Sequence, residues 1–350
     1  MQLRERKYDI ARGIAMMLVV LGHCHHRQIE IFVCLFHMPV FLFISGYFWK
    51  DDVLDDPIRF IKKRFKSLYL PYLIYELSFF FLRPLFLFWG WYDASAISWN
   101  LGTKGILYEI LKIILLMGRE QLLGAFWYIV MLLIMEIGYW ILSYFVRRLF
   151  HNREEYKFGL VFVTWVLGCL IARHVTIPRI GSALIGIPFF YIGYLQNKYH
   201  VKLKYNTITI LASLLFLIVN TLYGSAAIGS VTIHDPAFQL LCGCAGIYLV
   251  LAVSDLIEQK RWKWAKIFDY IGKNTITVMA FHEIGFKLLT TIMCMTLLKD
   301  RLILSAIPVG NNGLAYVIPY FVAAMTFSCF MIWIKLKLIA IKKNRLMFKA

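Results

Sequence analysis

Charge is scarce in this sequence, and acidic charge scarcer still. Of its 350 residues 17% are charged, with 20 Asp and Glu against 38 Lys and Arg. A soluble globular domain carries about 25% charged and about 45–50% apolar residues. Here 60% are apolar and the mean hydropathy is +0.67, which excludes an ordinary soluble domain. Long polar connections are missing too. No link between apolar runs exceeds about 20 residues, so the chain is expected to be one integral-membrane domain, 1–350. No repeat of fixed period breaks it up.

Other absences narrow the chemistry. The net charge of +18 invites a nucleic-acid reading, but no basic face interleaved with aromatics exists to support one. The seven cysteines are odd in number, and Cys242-Gly-Cys244 is too tight for the usual zinc spacing, so neither a disulfide framework nor a metal clip is expected. His23 and His26 share a helical face, but without a carboxylate or a second ligating pair nearby no metal site is expected there. The basic N-terminus imitates a signal peptide. However, Arg12 interrupts its apolar run, no small-residue cleavage site follows, and His23 spoils a lipoprotein box at Cys24. An uncleaved first span is the expectation.

What the sequence does have is long apolar runs. Windows of about 20 apolar residues predict an all-α bundle of about ten transmembrane helices. They fall near 9–27, 31–49, 68–90, 124–146, 157–174, 180–197, 206–223, 237–256, 274–297 and 313–335. Residues 105–118 are apolar but short, with Glu109 and Lys112, and suit an interfacial or re-entrant helix. Ten spans with both termini on one side put 28 of the 38 basic residues there, which by the positive-inside rule is the cytoplasm. The expected location is a cell membrane, crossed many times.

Some groups should not be in lipid. Arg12 and His23 are eleven residues apart, three turns plus about 20°, so they share one helix face about 16 Å apart along the axis. Asp9 lies on that face, three residues before Arg12, ready to hold the guanidinium. An ionisable group inside a span is a functional candidate by default. The second span brings His37 to a depth similar to His23, then Ser45-Gly46-Tyr47, where Gly46 also suits close helix packing. Trp127 and Glu136 stand in the fourth span, and His282-Glu283 in the ninth. The first, fourth and ninth spans thus direct ionisable groups into one interior, with His37 of the second at a similar depth to His23.

Arg12 and His23 with ten residues between them, then FHMPVFLFISGYF, FIKKRFKSLYLPY, FFYIGYL and IGKNTITVMAFH together resemble membrane-bound acyltransferase family 3. The likeness runs from the first span to the ninth and looks closest to the glycan O-acetyltransferase, fucose-4-O-acetylase-like branch. The resemblance implies an enzyme that takes an acetyl group from cytoplasmic acetyl-CoA, a cosubstrate, and delivers it to a hydroxyl of a glycan or lipid-linked sugar. It implies that Arg12 and His23 are the essential pair and that Arg64 helps to bind the donor. Many relatives carry a second arginine three residues on, where this chain has Ser67, so Lys62, Lys63 and Lys66 are expected to complete the cationic site. His23 is expected to act as general base or, alternatively, to carry a transient acetyl group. Tyr47 and Trp127 are candidate oxyanion donors, and Asp9, His37, Ser45, Glu136, His282 and Glu283 complete the candidate substrate pocket. The rival reading is a secondary transporter using the same buried groups, against which stands the lack of an inverted repeat.

Overall fold

A computed structural model describes residues 5–96, 102–174, 179–224, 228, 236–260, 263–297, 301–310 and 313–347. Among these residues there is no strand. The helices are α1 (Arg6–Gly22), α2 (Arg27–Cys34), α3 (His37–Tyr47), α4 (Pro57–Arg64), α5 (Leu70–Phe88), α6 (Gly102–Ile114) and α7 (Trp127–Leu149). They continue as α8 (Glu154–His174), α9 (Ile180–Lys198), α10 (Thr207–Asn220), α11 (Pro236–Gln259), α12 (Ala265–Lys273), α13 (Thr275–Thr296) and α14 (Leu314–Met347). Six helical segments are long and apolar enough to cross a membrane: Arg27–Tyr47, Pro57–Phe88, Gln121–Leu149, Ala237–Gln259, Thr275–Thr296 and Leu314–Lys342. The protein is therefore a multi-pass helical membrane protein.

Three differences from the expected layout have local causes. The second predicted span is broken, with α2 ending at Cys34 and α3 starting at His37. Pro39 sits in the first turn of α3, where it has no N–H to give the Leu35 carbonyl, so the helix restarts rather than continues. The third predicted span begins at Pro57 instead of 68. Asp56 caps that helix by accepting from the Arg59 N–H at 2.9 Å, with Pro57 at the first helical position. A π-helical stretch, Phe65–Tyr69, joins α4 to α5 just before Pro71, so the basic segment is the first two turns of one long helix. Finally, the basic connection before α13 folds into α12, which packs along α1.

α1 is the central element, surrounded by α3, α11, α12, α13 and α14. Glycines let its backbone neighbours come close. A Cβ at Gly13 would overlap the Phe268 carbonyl, and one at Gly272 the Asp9 carbonyl, so α1 and α12 touch main chain to main chain. Gly46 and Gly193 do the same for α3 against α9, meeting the carbonyls of Phe190 and Phe43. Gly272→Val is thus expected to abolish recovery of a monodisperse protein in detergent, whereas Gly138→Val, where a Cβ meets nothing within 4 Å, is expected to leave it unchanged. Equal yields of the two would show that the α1–α12 contact is not required.

Candidate active site

The face of α1 that carries Arg12 and His23 runs between two polar regions of the bundle. At its lower end Arg12 Nη1 lies 3.2 Å from Asp9 Oδ1, with Asp9 buried. The guanidinium also stacks over Phe48, 5.1 Å from the ring centroid. Phe48 belongs to the wall of a cavity of about 490 Å³ formed by the segment after α3 and by α4. Trp49, Lys50, Arg59, Lys63 and Arg64 line the same cavity, together with Asp52. Arg64 is anchored there: its Nε is 2.7 Å from the buried Glu136 Oε2, and its guanidinium lies over Phe60. Lys62 and Lys66 are exposed on α4 and the π-helical stretch and do not line this wall.

His23 closes the upper end of α1 as its C-cap residue. Its Nδ1 is 2.9 Å from Nε2 of His282, contributed by α13. His282 Nδ1 lies 3.1 Å from the Val278 carbonyl and 3.0 Å from that of Met279. Carbonyls only accept, so the His282 proton is on Nδ1 and its Nε2 carries a lone pair. That lone pair requires a donor, which places the His23 proton on Nδ1 and leaves His23 Nε2 as a lone pair. Two backbone carbonyls thereby set the tautomer of a histidine on another helix.

Glu283, the next residue on α13, is buried and brings Oε1 to 4.0 Å from His282 Nε2. Gly124, in the 3-10 turn Gln121–Phe126, faces it closely: a Cβ there would stand 2.8 Å from Glu283 Oε1. One ligating atom each from His23, His282 and Glu283 falls within a span of 4.8 Å, so a divalent cation is geometrically conceivable. Two imidazole nitrogens sharing a tetrahedral zinc at about 2.0–2.1 Å would, however, stand about 3.3–3.4 Å apart. The observed 2.9 Å is a hydrogen-bond distance and favours a proton between the rings.

The remaining candidates are dispersed. His37 Nδ1 donates to the Val33 carbonyl at 2.7 Å. Ser45 lies near the end of α3, one residue before Gly46, which packs against the Phe190 carbonyl of α9. Tyr47 sits at the end of the bundle opposite His23: it packs 4.1 Å from Tyr8, and its hydroxyl donates to Glu5 Oε1 at 3.0 Å. Glu136 serves Arg64 and not the histidines. Trp127 begins α7 and carries Arg179 over its ring at 5.4 Å. Two cavity cations, Lys50 and Arg59, escaped the sequence reading. Arg59 stands four residues before Lys63, on the same helical face, and that spacing was the available signal.

Neither the curated proteins nor the solved structures include a significant match to this chain. A family model does match, over residues 5–333, and is described as an acyltransferase domain. It begins just before α1 and runs into α14, so it takes in Arg12, the α4 cavity and the His23–His282 pair together. The chain thus belongs to acyltransferase family 3 and is a membrane acyltransferase.

Proposed function

We propose that this protein is an O-acetyltransferase that draws acetyl groups from acetyl-CoA at the cytoplasmic face and esterifies a hydroxyl of a surface or lipid-linked glycan. The observation that carries the reading is the oriented histidine pair, which leaves His23 Nε2 unprotonated at the top of the face that starts at Arg12. Ten spans with both termini in the cytoplasm accompany it, with α1, α8, α9 and α10 added to the six segments that are long and apolar enough to cross a membrane. The positive-inside bias supports that arrangement.

The donor site is the α4 cavity. Arg59, Lys63, Lys50 and Arg64 offer fork and point charges to the nucleotide phosphates, and Trp49 and Phe60 offer rings to the base. Glu136 holds Arg64 in place, so Arg64 positions the site as well as binding. From this cavity the slender thioester arm follows α1 past Phe48 and Arg12 towards His23, a rise of about 16 Å. His23 Nε2 takes the proton of the acceptor hydroxyl as its oxygen attacks the thioester carbonyl. The tetrahedral intermediate collapses with loss of the C–S bond, and the His23 imidazolium returns the proton to the leaving thiolate. His282 accepts from His23 Nδ1 throughout and keeps the imidazole turned for both transfers.

The cell envelope offers the direct test. Native membranes containing the protein are expected to transfer radiolabel from acetyl-CoA to glycan as a base-labile ester, and membranes with His23→Ala are expected not to. Label entering sealed vesicles as a free solute, with no ester formed, would instead favour transport. The double variant Arg59→Ala/Lys63→Ala removes two phosphate-facing cations and spares the Arg64–Glu136 pair. It is expected to weaken acetyl-CoA binding by about tenfold or more, since one charge-assisted contact is worth about 1.4 kcal/mol or above. Unchanged affinity would move the donor site elsewhere.

A further inference from the structure

A second, smaller cavity of about 210 Å³ has Gly124 in its wall, together with α5, the loop after α6 and the start of α7. Tyr72 and Glu76 face it from α5, Trp127 from α7, and Arg119 and Arg179 from the loops. Its charges are distributed unevenly. Glu120, also at the wall, is occupied: Arg83 holds it at 2.5 Å and the Tyr92 hydroxyl at 3.0 Å. Arg119 and Arg179 have no carboxylate within 4.0 Å among the described residues. Burial, with the Arg119 charge beside it, pushes the Arg179 guanidinium below its ordinary value. Arg179 is held in place nonetheless, stacked on Trp127 and with its backbone in the left-handed region at φ 75°, a conformation a non-glycine residue rarely keeps without surrounding constraint. Glu76 adds the second observation. It is 2% exposed, and its Oε2 has no hydrogen-bond partner among the described residues.

The groups left for a ligand are two cations and one carboxylate oxygen, with the Tyr72 hydroxyl beside them accepting from the Gly118 N–H at 3.0 Å and keeping its own proton to donate, around a space of about monosaccharide size. A guanidinium pair takes a carboxylate or phosphate by parallel N–H donors, and a buried carboxylate takes sugar hydroxyls. Gly124 makes the connection to the chemistry, because it lines this cavity and packs directly against Glu283, the neighbour of His282: a Cβ at Gly124 would stand 2.8 Å from Glu283 Oε1. We infer that this cavity is the acceptor subsite, and that it selects a sugar bearing an anionic group, with Arg119 and Arg179 on the anion and Glu76 on the hydroxyls. The inference rests on the transferase reading and adds the class of acceptor to it.

Calorimetry on the purified full chain tests it with three probes: glucuronate, glucose 1-phosphate and glucose. At least one anionic sugar is expected to bind saturably and glucose at least tenfold more weakly, with the stronger anion showing whether the subsite takes carboxylate or phosphate. Arg119→Gln, at an exposed position, is expected to cost several-fold, and Arg119→Gln/Arg179→Gln at least tenfold, with acetyl-CoA affinity unchanged in both. Glucose binding as tightly as the anions, no binding of any probe at 50 mM, or variants that bind like the parent would each overturn the inference. Loss of acetyl-CoA binding by the parent protein itself is the distinct result that would instead count against the transferase reading.

Discussion

Replacing His23 by alanine is expected to lower the rate of acetyl transfer by about 10³-fold while leaving the affinity for acetyl-CoA within about twofold. Removing a general base costs about 10²–10⁴ in rate. The proposed donor site, by contrast, lies towards the Arg12 end of α1, and Arg12 is about 16 Å from His23 by helical rise. The variant is expected to fold, because His23 is a C-cap residue outside the close α1–α12 contact. A matched loss of acetyl-CoA binding would show that His23 supports the donor site, and full activity would remove it from the chemistry.

The second large effect concerns His282. With leucine in its place, the His23 Nδ1–H loses its acceptor in a buried setting, and the imidazole is free to rotate or change tautomer. A fall of about 10²-fold in kcat is expected, with KM for acetyl-CoA nearly constant, the pattern of a residue that orients a base. Glutamine supplies a carbonyl oxygen to the same N–H and is expected to restore most of that loss. Equal damage by leucine and glutamine would reduce His282 to packing. A chelator arm distinguishes the metal alternative at His23, His282 and Glu283: prolonged treatment with EDTA is expected to leave turnover unchanged, and loss restored by zinc would replace the proton relay with a cation.

Helix positions were legible because each span is a long apolar run, and α7, α9, α11 and α13 begin and end within a few residues of their predicted windows. The Arg12–Asp9 contact was legible for a similar reason, since a three-residue helical spacing fixes which groups meet. Contacts across helices were not. Nothing local to residue 136 says that its carboxylate meets Arg64 of another helix, and nothing local to Tyr47 turns its hydroxyl to Glu5. His282 was visible as an ionisable group in a span, but its pairing with His23 depends on how α13 lies beside α1. That placement follows in turn from Gly13 and Gly272, which seat α12 on α1 just before α13 begins. The break at Leu35–Phe36 and the cap at Asp56 were written in the sequence as Pro39 and Asp56-Pro57, yet hydropathy windows average over such single residues.

Titration of the purified protein with acetyl-CoA reads the proposed donor site directly and needs no knowledge of the acceptor. Saturable one-to-one binding is expected in the parent, the same affinity in His23→Ala, and binding weakened tenfold or more in Arg59→Ala/Lys63→Ala. Absence of binding in a monodisperse sample, or binding that ignores the α4 cations, would contradict a cytoplasmic donor site feeding the histidine pair.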